Sequence, residues 1–328
     1  VPFWKRYAII GLVLIAAMLP AVVVSLLWAP GVRGIAVFGL LVASVATLKS
    51  DWRLGTALSF VLAGAGTLAV LTHDRPGLGA LLMAALAAAA GLAALRGLQT
   101  PVLMVPLVAE FLLVTPPPLA GWGPPVEVGA AYAFSVGLVL LLSGIWCTAF
   151  FAVLGRRLPK SPPEPVLRGQ ALTYTAVLMI GAAATTFMVL RWYPDGRGAW
   201  LIMTVLLLLQ PDPHKMLHKT VQRVAGTLFG VVAAAVFLVL TDSVVLHHVL
   251  GSVLLVLALS VHTRPYWRFV TVLTPAIVLM ASKGADGISV DERRLGWTLA
   301  GAAFAVAVTL TVNGLLALRA RHRPPDPP

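Results

Sequence analysis

The sequence predicts an all-α membrane protein of about twelve transmembrane helices, arranged as two parallel six-helix repeats with both termini cytoplasmic. Three observations carry this expectation. Of the 328 residues, 59% are hydrophobic and 11% charged, and the mean hydropathy is +0.93, whereas a soluble domain is about half apolar and about a quarter charged. Apolar runs approaching the roughly 20 residues needed to cross a bilayer recur along the chain. One pattern also occurs twice, about 170 residues apart: Trp200 to Gln210-Pro211 followed by Arg223-Val-Ala-Gly226-Thr227 in the second half, and an apolar run ending at Leu48 followed by Arg53-Leu-Gly55-Thr56 in the first. Val105-Pro106 and Thr274-Pro275, each inside a short apolar segment, repeat at the same kind of offset. Duplicated helix bundles with matching Pro-interrupted segments are a build used by secondary transporters.

In chain order, the spans of the first half fall near 7–28, 34–48, 54–71, 77–95, 101–115 and 128–154. Those of the second fall near 171–190, 198–210, 221–240, 244–261, 267–281 and 295–318. Breakers punctuate them: Ala29-Pro30-Gly31, Arg75-Pro76-Gly77, Pro116-Pro117-Pro118, Tyr193-Pro194-Asp195-Gly196 and Lys283-Gly284. Ala8–Trp28 is longer than a signal-peptide core and is followed directly by further spans, so it is expected to remain as an anchor. The stretch 156–170, which holds Arg156, Arg157 and Pro-Lys-Ser-Pro-Pro-Glu-Pro, reads as a cytoplasmic linker between a first repeat (1–155) and a second (171–318). Residues 319–328 read as a short cytoplasmic tail.

Loop charges set the orientation. With the N-terminus and every second loop inside, 17 of the 24 Lys and Arg residues lie on the cytoplasmic side, as the positive-inside rule requires. The formal charge of +12 therefore reads as topology rather than as a nucleic-acid surface. Cys147, the single cysteine, excludes an intrachain disulfide and a cysteine-based metal cluster and reads as a small buried hydrophobe. No Gly-Lys-Thr nucleotide loop occurs, so ATP hydrolysis by the chain is not expected. No cofactor is implied, and no clustered acid–base set suggests an enzyme.

Glu110 is the one acidic residue read as lying deep in an apolar segment, 102–114. A charge at that depth costs about 2.5 kcal/mol or more, so such residues face a cavity or a partner. Desolvation disfavours the ionised carboxylate, which suits a proton-coupling group; the plainer reading is a carboxyl that only packs between helices. Arg53 and Arg223 enter spans from the cytoplasmic side, where a guanidinium could fork onto a substrate carboxylate, or simply anchor the helix end. Thr227 lies beside Gly226 and Gly230, a GxxxG pattern whose first reading is close helix packing. Gln210-Pro211 closes a run of about 13 residues, too short to cross about 30 Å as a straight helix; either it is a half-helix lining a cavity or the helix begins back at Trp192 or Tyr193. Arg294 and Thr298 repeat Arg-Thr chemistry at the opposite face, as an outer gate or a surface anchor. His214 and His218 have metal-ligand spacing without a third ligand and read as a solvated linker, so no metal is expected.

In the second half, Gly198-Ala-Trp200, Gln210-Pro211, Gln222-Arg223-Val-Ala-Gly226-Thr227-Leu-Phe-Gly230, Tyr266-Trp267-Arg268, Leu273-Thr274-Pro275-Ala276 and Glu292-Arg293-Arg294 with Thr298 and Gly301 occur in order. By these motifs the chain resembles the fusaric acid resistance (FUSC-like) family of bacterial inner-membrane proteins, which includes aromatic acid exporters. The first half resembles it only through Arg53-Leu-Gly55-Thr56 and the Pro106 segment, and has Leu48-Lys49 in place of Gln-Pro. The resemblance implies a multi-pass inner-membrane efflux transporter for small organic anions such as aromatic carboxylates, working beside a periplasmic adaptor of the membrane-fusion type, and Glu110 makes a proton drive the expected energy source. The alternatives are a passive anion channel and a non-transporting membrane scaffold. The expected partners are the solute, the lipid bilayer and that adaptor, without nucleic acid; a homo-oligomer stays open.

Overall fold

The computed structural model describes residues 13, 16–17, 19–20, 23, 32–116, 129–154, 164–193, 198–241, 243–261, 265–281, 296–308 and 310–311. Its regular elements are helices: α1 (Val32–Lys49), α2 (Trp52–Leu71), α3 (Pro76–Ala93), α4 (Gln99–Val114), α5 (Ala130–Leu154), α6 (Arg168–Trp192), α7 (Ala199–Leu208), α8 (Pro213–Leu240), α9 (Val244–Val261), α10 (Tyr266–Ala281) and α11 (Gly296–Val308). Five of them, α2, α3, α5, α6 and α8, contain stretches long and apolar enough to cross a membrane. Five more, α1, α4, α7, α10 and α11, include shorter apolar stretches of 10–17 residues.

The helix ends follow local chemistry. Asp51 caps α2 by accepting from the Leu54 N–H at 2.8 Å, so the polar Lys49-Ser50-Asp51 corner stops one helix and starts the next. Pro76 occupies the first turn of α3, where its missing N–H costs nothing. A single 3-10 turn (Ala94–Arg96) follows α3 and is closed by Gly97 at φ 69°, a left-handed position that favours glycine. The Val166 N–H donates to the Ala94 carbonyl at 3.0 Å, tying the end of the linker to this turn.

Packing divides the chain into two compact units, Val1–Leu206 and Leu207–Pro328. In the first, α4 is surrounded: it packs on α1, α2, α3 and α6, and the side chains at 105–110 and 112–114 are all buried. Around it, α2 and α5 run antiparallel, as Gly144 against Ser59 and Gly137 against Thr67 require. Helices α3 and α6 are also antiparallel, with Gly91 against Thr175 and Gly79 against Leu190. Cys147 is buried among Ala17, Leu40, Ala43 and Phe151. In the second unit, α10 packs on both α8 and α9. The break between repeats read at 156–170 concerns the duplicated sequence. The compact units part within α7, because α6 lies on α3 and therefore stays with the first.

Candidate functional site

Glu110 lies in α4 with no solvent exposure, one turn after Pro106 inside the same helix. Pro106 has no N–H to donate, so the ladder is interrupted just before the acid. The next residue, Phe111, stacks on Phe38 of α1 at 5.9 Å and meets Trp200 of α7 edge-on at 5.8 Å. A carboxyl on this enclosed helix, with no solvent exposure, is screened from bulk water. Elsewhere the first unit also buries Thr185, Thr186 and Thr204.

Arg223 occupies the second unit, ten residues into α8, and is 5% exposed. Its Nη1 donates to the Tyr266 hydroxyl of α10 at 2.9 Å. One turn earlier on the same face, the Lys219 ammonium lies 5.3 Å from the centre of the Tyr266 ring, a cation–π distance. The neighbouring Gln222 accepts from the Trp267 N–H at 3.2 Å and its amide nitrogen meets His218. Gly226 and Gly230 bring the helices this close. A Cβ at Gly226 would sit 2.6 Å from the Trp267 carbonyl oxygen, and one at Gly230 would sit 2.5 Å from the Thr274 Cβ. The GxxxG pattern is therefore a packing face, and it makes α8 and α10 run parallel with Arg223 held at Tyr266. Thr227 is buried beside it.

The other residues singled out by sequence separate. Arg53 is exposed and its guanidinium lies 5.7 Å from the Trp52 ring centre. In Arg53-Leu-Gly55 the packed glycine follows the charge by two positions, about 200° around the helix, whereas in Arg223-Val-Ala-Gly226 an offset of three brings them to neighbouring positions. Gln210 turns its amide back onto its own chain, donating to Leu207 O at 3.2 Å and Leu209 O at 2.9 Å. It thereby satisfies carbonyls that α7 leaves open at its end. Helix α6 ends at Trp192 and α7 begins at Ala199, so the ten residues of α7 form a helix of about 15 Å that does not extend back to Tyr193. Thr298 is buried in α11, while Arg294 lies outside the described residues, as does the side chain of His214. Among the described residues there is no group of three or more His, Cys, Asp or Glu that could hold a metal ion.

In the sequence Tyr266 stands out only as part of the Tyr266-Trp267-Arg268 motif, and nothing marks Lys219. The signal available was that Tyr266-Trp267-Arg268 follows Gln222-Arg223 at a distance that suits a return of the chain to the same end after two helical runs.

Residues 182–308 match the family model described as fusaric acid resistance protein-like. The match runs from within α6 to the end of α11, and the family resemblance read from the sequence holds over this part of the chain. Comparison with curated proteins and with solved structures gave no match.

Proposed function

We propose that the chain is a proton-driven transporter of the bacterial inner membrane that exports small organic anions, such as aromatic carboxylates. The observation that carries the reading is the complete burial of Glu110 on the Pro-interrupted central helix. A carboxyl in that position exchanges its proton only through an internal route, which is what coupling needs. The family match supplies the class of protein; the resemblance supplies the solute class and the outward direction.

Arg223, with Thr227 beside it, is the anion contact. Burial against Tyr266 distinguishes it from a cation that merely reaches for lipid. Arg53 and Gln210 take lesser parts, since one points outward and the other is engaged with its own backbone. The twelve-span, two-repeat build with both termini inside is part of the same proposal and suits alternating access. Further support comes from two recurring neighbourhoods: α4 packs on α2 and α3, as α10 packs on α8 and α9, and α4 and α10 each contain one proline. A periplasmic adaptor of the membrane-fusion type is the expected partner.

The test is a sensitivity panel of organic acids in a strain lacking the gene, complemented by the wild-type chain or by Glu110→Gln. Wild type restores resistance to at least one acid, and Glu110→Gln, present at equal level, does not. Full complementation by Glu110→Gln would sink proton coupling through this residue and favour the passive channel, which needs the arginine and not the acid. A panel with no response to deletion would sink export altogether and leave the scaffold.

A further inference from the structure

Two cations one turn apart on α8 converge on a single tyrosine. Lys219 and Arg223 are four residues apart and so share a face, where like charges repel. Arg223 is 5% exposed, which leaves water and salt little opportunity to screen that repulsion. Lys219 has no ion-pair partner among the described residues, whose salt bridge joins Asp74 and Arg75. The surrounding sequence adds positive charge through Lys215, Arg264 and Arg268.

Tyr266 completes the arrangement chemically. Its hydroxyl oxygen accepts from Arg223 Nη1, so its own hydrogen can be donated to a third group. A planar guanidinium, an ammonium and a phenol O–H then supply donors to one small region. This set matches an anion that presents two or three oxygens, and Arg forks onto such groups bidentately. An oxyanion lodged there would also relieve the repulsion between the two cations. The pair Gln222 and Gly226 fixes the geometry by holding the first turn of α10 against α8.

We infer that Lys219, Arg223 and Tyr266 form an oxyanion site at this end of α8 and α10, occupied by the carboxylate of a small solute or by the phosphate of a lipid headgroup. For its solute, the inference rests on the organic-anion reading above; Lys219 and Tyr266 are its new members. On the loop-charge topology this is the cytoplasmic end, where a solute bound for export is first met. The exposed Trp267, with Arg268 lying 5.4 Å from its ring centre, borders the same end, at the level where headgroups lie.

The experiment follows Lys219 directly and needs no transport. The full chain is placed in nanodiscs of phosphatidylcholine and reductively methylated with and without sodium benzoate. Modification of Lys219 and of Lys49 is read by mass spectrometry. Benzoate should slow Lys219 at least threefold, benzamide should not, Lys49 should be unaffected, and Arg223→Gln or Tyr266→Phe should remove most of the protection. Tyr266→Phe keeps the ring, so its loss of protection reports the hydroxyl rather than misfolding. If discs containing phosphatidylglycerol protect Lys219 without benzoate, and benzoate adds nothing, the site holds a headgroup phosphate. Lys219 modified at the same rate under all these conditions overturns the site. Export without protection removes the site and leaves the transporter; protection without export does the reverse.

Discussion

The two Pro-interrupted helices invite comparison. In α4, the residue four places after Pro106 is Glu110; in α10, the residue four places after Pro275 is Leu279. Both side chains are wholly buried. The arginines that precede a packed glycine, Arg53 in α2 and Arg223 in α8, differ in the opposite sense: Arg53 is exposed on Trp52, and Arg223 is buried on Tyr266. One unit therefore encloses an acid and displays its arginine, and the other encloses an arginine and has an apolar residue in the acid's register. The two neighbourhoods carry complementary chemistry, and neither alone has both.

The sharpest way to break this comparison is to give α10 the acid it lacks. Leu279→Glu should destabilise the chain by roughly 3 kcal/mol, the cost of an ionisable group at bilayer depth. That would appear as a large drop in the level of folded protein and in its thermal midpoint. An unchanged midpoint would mean that this position already has room and polarity for a carboxyl. Glu110→Leu, the reciprocal change, should leave the midpoint within a few degrees, since replacing a buried ionisable group by an apolar one is often neutral, while abolishing export.

Next in size is the packing face that holds Arg223 inward. Gly230→Ala forces a methyl against Thr274 and Pro275 and should cost about 1–3 kcal/mol. Gly64→Ala, at a glycine with open space around it, should cost nothing measurable by the same thermal assay. Equal losses at the two positions would mean that the α8–α10 contact does not set the sensitivity, since helix propensity alone favours alanine over glycine.

The smallest effect separates the arginines themselves. Arg223→Gln should weaken anion affinity about tenfold, in keeping with about 1.5 kcal/mol for one charge-assisted hydrogen bond. Arg53→Gln should change it less than twofold. Binding of benzoate by the purified chain reads both. Matching losses would restore the equivalence of the two positions that the repeat implies.

Much of the fold is legible in the sequence because apolar runs and breakers report helices directly. Asp51, Pro76 and the Tyr193–Gly198 interval mark ends that the structure reproduces within a few residues. The brevity of α7 and the inward position of Glu110 follow from run length and from the cost of burying charge. The divergence of Arg53 from Arg223 was also present, in the spacing of each arginine to its glycine, although the likeness of the motifs concealed it. The contact of Arg223 with Tyr266 was not legible: it joins residues 43 apart through the crossing of α8 and α10, which no local periodicity encodes. The same holds for α6 on α3, where Gly91 meets Thr175. A side chain that caps its own backbone, as Gln210 does, leaves no pattern that distinguishes it from one facing a ligand.

The short reach of α7 has a mechanical consequence. Between Leu208 and Pro213 the chain runs four residues without the repeating hydrogen bonds that stiffen the helices on either side, and the amide of Gln210 is what ties its carbonyls down. Bending at that point would open the bonds of Gln210 and leave both flanking ladders intact. The joint between α7 and α8 is thus a place where the backbone can yield without breaking a helix, with Gln210 as its latch.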